Sequence, residues 1–177
     1  DGFDASRIDA TTRVKGQADT VTTGGLEVVG VAVAVDANTI LVNRNADGSF
    51  TTLALADIQP SDYLEVYGVP RNDNSVLATR IVRKIEDSLN KVELRVKIRS
   101  VDANAKTFTY GLGTHTVNFA NAELRGNLVD GAMVRVRGER SGLVVNASRV
   151  RTGEGRGSDD NGGRREGKIE LEGIISE

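Results

Sequence analysis

The chain repeats itself, and that constrains its fold more than any other feature. Val35-Asp36-Ala37-Asn38 recurs as Val101-Asp102-Ala103-Asn104, 66 residues on. Leu26-Glu27-Val28 and Val92-Glu93-Leu94 precede the two copies at the same offset. Leu64-Glu65-Val66-Tyr67-Gly68 matches Val134-Arg135-Val136-Arg137-Gly138 at offset 70, and Ala78-Thr79-Arg80-Ile81 matches Ala147-Ser148-Arg149-Val150 at offset 69. Matched blocks in the same order imply two copies of one unit. Fragments of further copies stand at both ends. Ala5-Ser6-Arg7-Ile8 resembles the closing block, and Ile169-Glu170-Leu171 the opening one. The expected organisation is a closing strand and linker at 1–25 and modules at 26–85 and 91–152. A Gly-rich charged linker at 153–167 and an opening strand at 168–177 complete it.

Within each unit the hydrophobic period is two. Leu94, Val96 and Ile98 alternate with Arg95, Lys97 and Arg99, and Val134 and Val136 with Arg135 and Arg137. Such alternation marks strands with one face buried and one in water. Turn signals such as Asn45-Ala46-Asp47-Gly48 and Asp130-Gly131 separate the runs. The first unit predicts strands near 27–35, 39–44, 49–55, 63–69 and 75–84. The second predicts them near 92–101, 106–111, 114–119, 133–139 and 143–151. Short helical turns are expected at 53–58 and 121–124. Five short strands in some 60 residues suit a small closed antiparallel barrel, which hides its edges. The fold class is therefore all-β, two tandem barrels with single strands from partial modules at both ends.

Chemistry is sparse. Cysteine is absent, which removes disulfides, thiol catalysis and thiolate metal sites. The single histidine, His115, has no Gly-x-Ser-x-Gly partner motif and reads as an ordinary strand residue. Asp159 and Asp160 lie in the linker, where nothing fixes their geometry. Asp36 and Asp102 read as turn aspartates bonding the backbone two residues on. The segment Asn43–Ser49 lacks the acidic spacing of a calcium loop. Gly111-Leu112-Gly113 reads as a hairpin turn. No catalytic, cofactor or metal residue is expected, and no enzyme. One feature stands out: residues 86–152 carry eleven basic against seven acidic residues, net +4, while 26–85 carry five against seven, net −2. Arg95, Lys97, Arg99, Arg135 and Arg137 thus form a candidate polyanion-binding face. Phe108, Tyr110 and Leu112 share one strand face and read as core.

The opening Val92-Glu93-Leu94, the run Val101-Asp102-Ala103-Asn104-Ala105-Lys106-Thr107-Phe108, the segment Gly131–Gly138 and the closing Ala147-Ser148-Arg149-Val150 together resemble the domain-of-unknown-function 5666 family. The first unit departs from that pattern with Ser61 where the second has Gly131. The resemblance implies OB-like small barrels in series, in exported bacterial proteins that are often lipoproteins or periplasmic. It brings no catalytic residues. The resulting expectation is a non-enzymatic structural or interaction module, periplasmic, outer-membrane-attached or extracellular. A lipid anchor would lie upstream of residue 1, since the chain opens like a mature product or an excised fragment. No membrane span is expected, and partners are other proteins or further copies of the chain. Ala5, Ser6, Arg7, Ile8, Ile169, Glu170 and Leu171 are the expected strand-exchange residues. The competing reading is an OB-like binder of nucleic acid or anionic polysaccharide. The near-balanced total charge of −2 argues against nucleic acid as the main partner.

Overall fold

A computed structural model describes residues 12–85 and 89–153. These residues are all-β apart from one 3₁₀ turn, Leu55–Asp57, within the stretch expected to turn. Seven strands make up the first half: β1 (Thr12–Thr22), β2 (Gly25–Val28), β3 (Val31–Ala34), β4 (Ile40–Arg44), β5 (Phe50–Thr52), β6 (Tyr63–Pro70) and β7 (Val76–Lys84). β1 pairs with β2 and β6, β2 with β3, β3 with β7, and β7 with β6. That ring of five closes on itself and leaves no edge among its members. All its pairs are antiparallel except β3 with β7. β4 runs parallel to the far end of β7 and carries β5 as a hairpin outside the ring.

Two expectations change here. β1 is the first strand of the ring, so the expected boundary at residue 26 leaves it outside the module and falls within β2. The single strand expected at 27–35 is the β2–β3 hairpin, because Val29 (φ 46°) and Gly30 (φ 73°) form a two-residue turn. Such turns need positive φ at both positions, which their backbone twist favours between paired strands. A valine at positive φ is strained. Val29 is fully buried, and its side chain fills the space that a Cβ on Gly16 would occupy.

The second half comprises β8 (Lys91–Lys97), β9 (Ser100–Asp102), β10 (Thr107–Tyr110), β11 (His115–Asn118), β12 (Glu123–Arg125), β13 (Met133–Ser141) and β14 (Val144–Thr152). Its pairings follow the same succession: β8 with β13, β13 with β14, β14 with β11, β11 with β10, β10 with β9. β8 and β9 are one path kinked at Ile98-Arg99, where β1 instead carries a bulge at Asp19. β12, expected as a helical turn, is a strand parallel to β14, as β4 is to β7.

Register fixes which residues correspond. Val66 faces Val14 and Ile81 in the first half, while Val136 faces Leu94 and Val150 in the second. Val66 and Val136 thus take like places in the pairing of their strands, as do Ile81 and Val150, and all four side chains are buried. Val35 and Val101 do not correspond. Val101 pairs with Phe108 as Val21 pairs with Leu26, so Val101 matches Val21. By the same register Leu94 matches Val14 rather than Val28. The shared Val-Asp-Ala-Asn is a common turn used at two places in the plan. In both copies the aspartate accepts from the backbone two residues on, Asn38 to Asp36 and Asn104 to Asp102, each at 2.9 Å. A bulge follows Tyr67 in one half and Arg137 in the other. The next residue is glycine in both, since a Cβ on Gly68 or Gly138 would stand 2.2 Å from a carbonyl oxygen of the partner strand.

The halves join along β1 and β8, where Lys15 faces Glu93. The β2–β3 tip then enters the second half. The Tyr110 hydroxyl donates to the Val29 carbonyl at 2.9 Å, and Arg140 pairs with Asp19 at 2.5 Å. Gly30 lies so close to His115 that a Cβ would sit 2.3 Å from the ring. Burial pushes the Tyr110 phenol up, so it remains a donor. Phe108 and Tyr110 are core as expected, but Leu112 is 73% exposed because it caps the turn after β10.

Candidate polyanion-binding face

Strand alternation turns Leu94, Val96, Val134, Val136 and Val150 inward and sets the arginines between them on the outer face. Register then lines them up. Arg95 on β8 faces Arg135 on β13, Arg135 faces Arg151 on β14, and Arg151 faces Arg125 on β12. Four arginines thus stand in one row across four strands. The neighbouring row reads Glu93, Arg137, Arg149, Glu123. Glu93 is 3.5 Å from Arg137 and 3.9 Å from Arg135. Glu123 binds Arg125 at 2.9 Å and Arg149 at 2.8 Å, and these bonds hold its carboxyl below the usual range. Among the described residues these two rows hold six guanidinium groups and two carboxylates. Arg135, Arg137, Arg149 and Arg151 line a small cleft within it.

The corresponding row of the first half shows that the fold does not require this arrangement. There Lys15 faces Glu65, Glu65 faces Val82, and Val82 faces Val42. Glu65 is buried and receives Lys15 at 3.1 Å, the Tyr67 hydroxyl at 2.5 Å, and Lys84. Burial opposes its charge, but Lys84, Tyr67 and Lys15 together lower its pKa to about 2. At this place the first half sets lysine opposite glutamate, whereas the second sets arginine opposite arginine across its strands.

Of the expected residues, Arg95, Arg135 and Arg137 come together on this face. Lys97 lies at its margin opposite Met133. Arg99 does not join them: it lies past the kink, and its guanidinium donates to the Leu112 carbonyl at 3.1 Å. Arg125, Arg149 and Arg151 escaped the sequence reading. The alternation Arg149-Val150-Arg151 signalled the last two, while Arg125 was hidden by the helical reading of 121–124. The strand-exchange candidates Ala5, Ser6, Arg7, Ile8, Ile169, Glu170 and Leu171 lie outside the described residues. An open cleft of about 900 Å³ adjoins the face at the junction, with Lys15, Lys91, Arg137 and Arg140 in its walls. Among the described residues no helix is long and apolar enough to cross a membrane. Asp19, Glu27 and His115, whose side chains are of types that can ligate a metal, converge at the junction, not on this face.

Residues 15–82 match the model of a family described as Domain of unknown function (DUF5666). The matched stretch runs from within β1 to within β7, so it coincides with the closed ring. The chain resembles that family over this ring. No curated protein and no solved structure matches the chain.

Proposed function

We propose that the chain is a non-enzymatic binding module of a bacterial envelope or extracellular protein, built as two tandem OB-like barrels. The second barrel holds an anionic polysaccharide on the row Arg95, Arg135, Arg151 and Arg125, flanked by Arg137 and Arg149. The contrast between the two halves carries this reading. The second half presents a row of arginines on its outer face, and the first half shows that the same strands pair without one. An extended ligand with regularly spaced negative groups would match the spacing of the row, and guanidinium forks suit sulfate and carboxylate oxygens. Nucleic acid is the weaker candidate. Single-strand binders stack bases on outward aromatic rings, whereas Phe108, Tyr110 and Phe119 are buried. The bacterial and exported setting rests on the family resemblance.

Chromatography on a sulfated polysaccharide tests the proposal, with a single-stranded oligonucleotide in parallel. Retention is expected at about 50 mM salt, with loss as salt screens the contacts. Arg135→Glu imitates Glu65 of the first half. It should weaken retention strongly, since it removes a cation from the middle of the row and puts a negative charge there. No retention at low salt, or retention unchanged in Arg135→Glu, would sink the proposal. Oligonucleotide binding with a steep salt slope and no polysaccharide binding would reassign the ligand to nucleic acid.

A further inference from the structure

We propose that the junction between the halves is a site for a divalent ion of the zinc type, held by Asp19, Glu27 and His115. One ligand atom from each of the three lies within 4.8 Å of the others. They come from three strands and both halves: Asp19 from the bulge of β1, Glu27 from β2 and His115 from β11.

The histidine is the telling member. By register His115 faces Tyr110 as Val31 faces Val28, so it occupies the place of a core valine of the first half. The plan tolerates an apolar residue there. His115 is only 5% exposed, and its Nε2 is buried without a hydrogen-bond partner. Its Nδ1 lies 3.2 Å from the Thr114 hydroxyl. A polar atom stripped of water and left unpaired is costly to bury. A cation bound through Nε2 would supply the missing partner.

The surroundings orient the donors. Asp19 accepts from the Gly30 amide at 2.8 Å and from Arg140 at 2.5 Å, which fixes its carboxylate and leaves lone pairs for a metal. Arg140 offsets one of the two carboxylate charges, so Asp19, Glu27 and Arg140 together retain one negative charge. Imidazole with carboxylates suits zinc and its first-row neighbours, whereas calcium and magnesium favour all-oxygen sets. Tetrahedral bonds of about 2.0–2.1 Å place ligand atoms about 3.4 Å apart, so small side-chain rotations must draw the three groups inward. Water takes the fourth position.

The test uses the full chain stripped with a chelator, with Co²⁺ as a visible probe and Zn²⁺ by calorimetry. The expected result is saturable uptake of one equivalent, with tetrahedral Co²⁺ absorption that Zn²⁺ displaces. His115→Gln and Glu27→Gln should each weaken uptake at least about tenfold. Glu27 is half-buried, so its variant serves if the core substitution compromises folding. Absence of one-equivalent uptake by the parent chain, or uptake unchanged in Glu27→Gln, overturns the proposal.

Discussion

Single residues show where the two halves made different compromises. Ser61 and Gly131 correspond, each donating its amide to the first strand of its own half, Ser61 to Ala18 at 2.8 Å and Gly131 to Ile98 at 2.9 Å. Both take positive φ, 76° and 82°. Serine pays a steric penalty there that glycine avoids, partly offset by the greater freedom of glycine in the unfolded chain. Ser61→Gly should therefore stabilise the protein by about 0.5–1 kcal/mol, read from the midpoint of denaturant unfolding. Glu65 makes the opposite case. Its lowered pKa means its contribution is complete above the ordinary value of 4.5 and disappears as pH falls toward about 2. Glu65→Gln should cost about 2 kcal/mol at neutral pH, since Lys15 and Lys84 lose their buried partner. The same variant should flatten the decline of stability between pH 5 and 2, measured by thermal melts across that range.

At the level of strands, the sequence reading was most accurate where alternation was strong. β6, β7, β13 and β14 fell close to their expected spans, and their inward valines are core. It failed where a turn motif masqueraded as a repeat. Val-Asp-Ala-Asn encodes a turn by aspartate chemistry alone, and that chemistry carries no information about which strands the turn joins. Of the arginine face, β8 and β13 were legible because each alternates within itself. The contribution of β12 and β14 was not, because it arises from long-range pairing between strands. The β2–β3 hairpin was missed because Val29-Gly30 lacks the usual Asn-Gly signal. That hairpin yields the sharpest structural test. Gly30→Ala must hold a side chain at φ 73° and push it into the His115 ring. A loss of about 2–4 kcal/mol is expected from the left-handed backbone and the overpacking together. Denaturant unfolding measures it, and a loss below about 1 kcal/mol would mean that the tip does not press on His115.

Across the whole molecule, the two halves share a plan but not a surface. The first carries the buried Glu65 ion pairs, and the second carries the arginine row. Their union is asymmetric as well. Tyr110 finds its acceptor, and Arg140 a carboxylate partner, in the earlier half. This asymmetry has a direction in time. A ribosome releases the strands in chain order, and domains generally fold as units, N-terminal first. The ring of β1, β2, β3, β6 and β7 needs nothing beyond residue 84 to close its pairings. Its hairpin tip then stands ready while β8 to β14 are still being made. The later strands emerge beside a finished surface that presents the Val29 carbonyl and the Asp19 carboxylate. A first half folded in that order would offer the second half a template, with the Val29 carbonyl and the Asp19 carboxylate already in place.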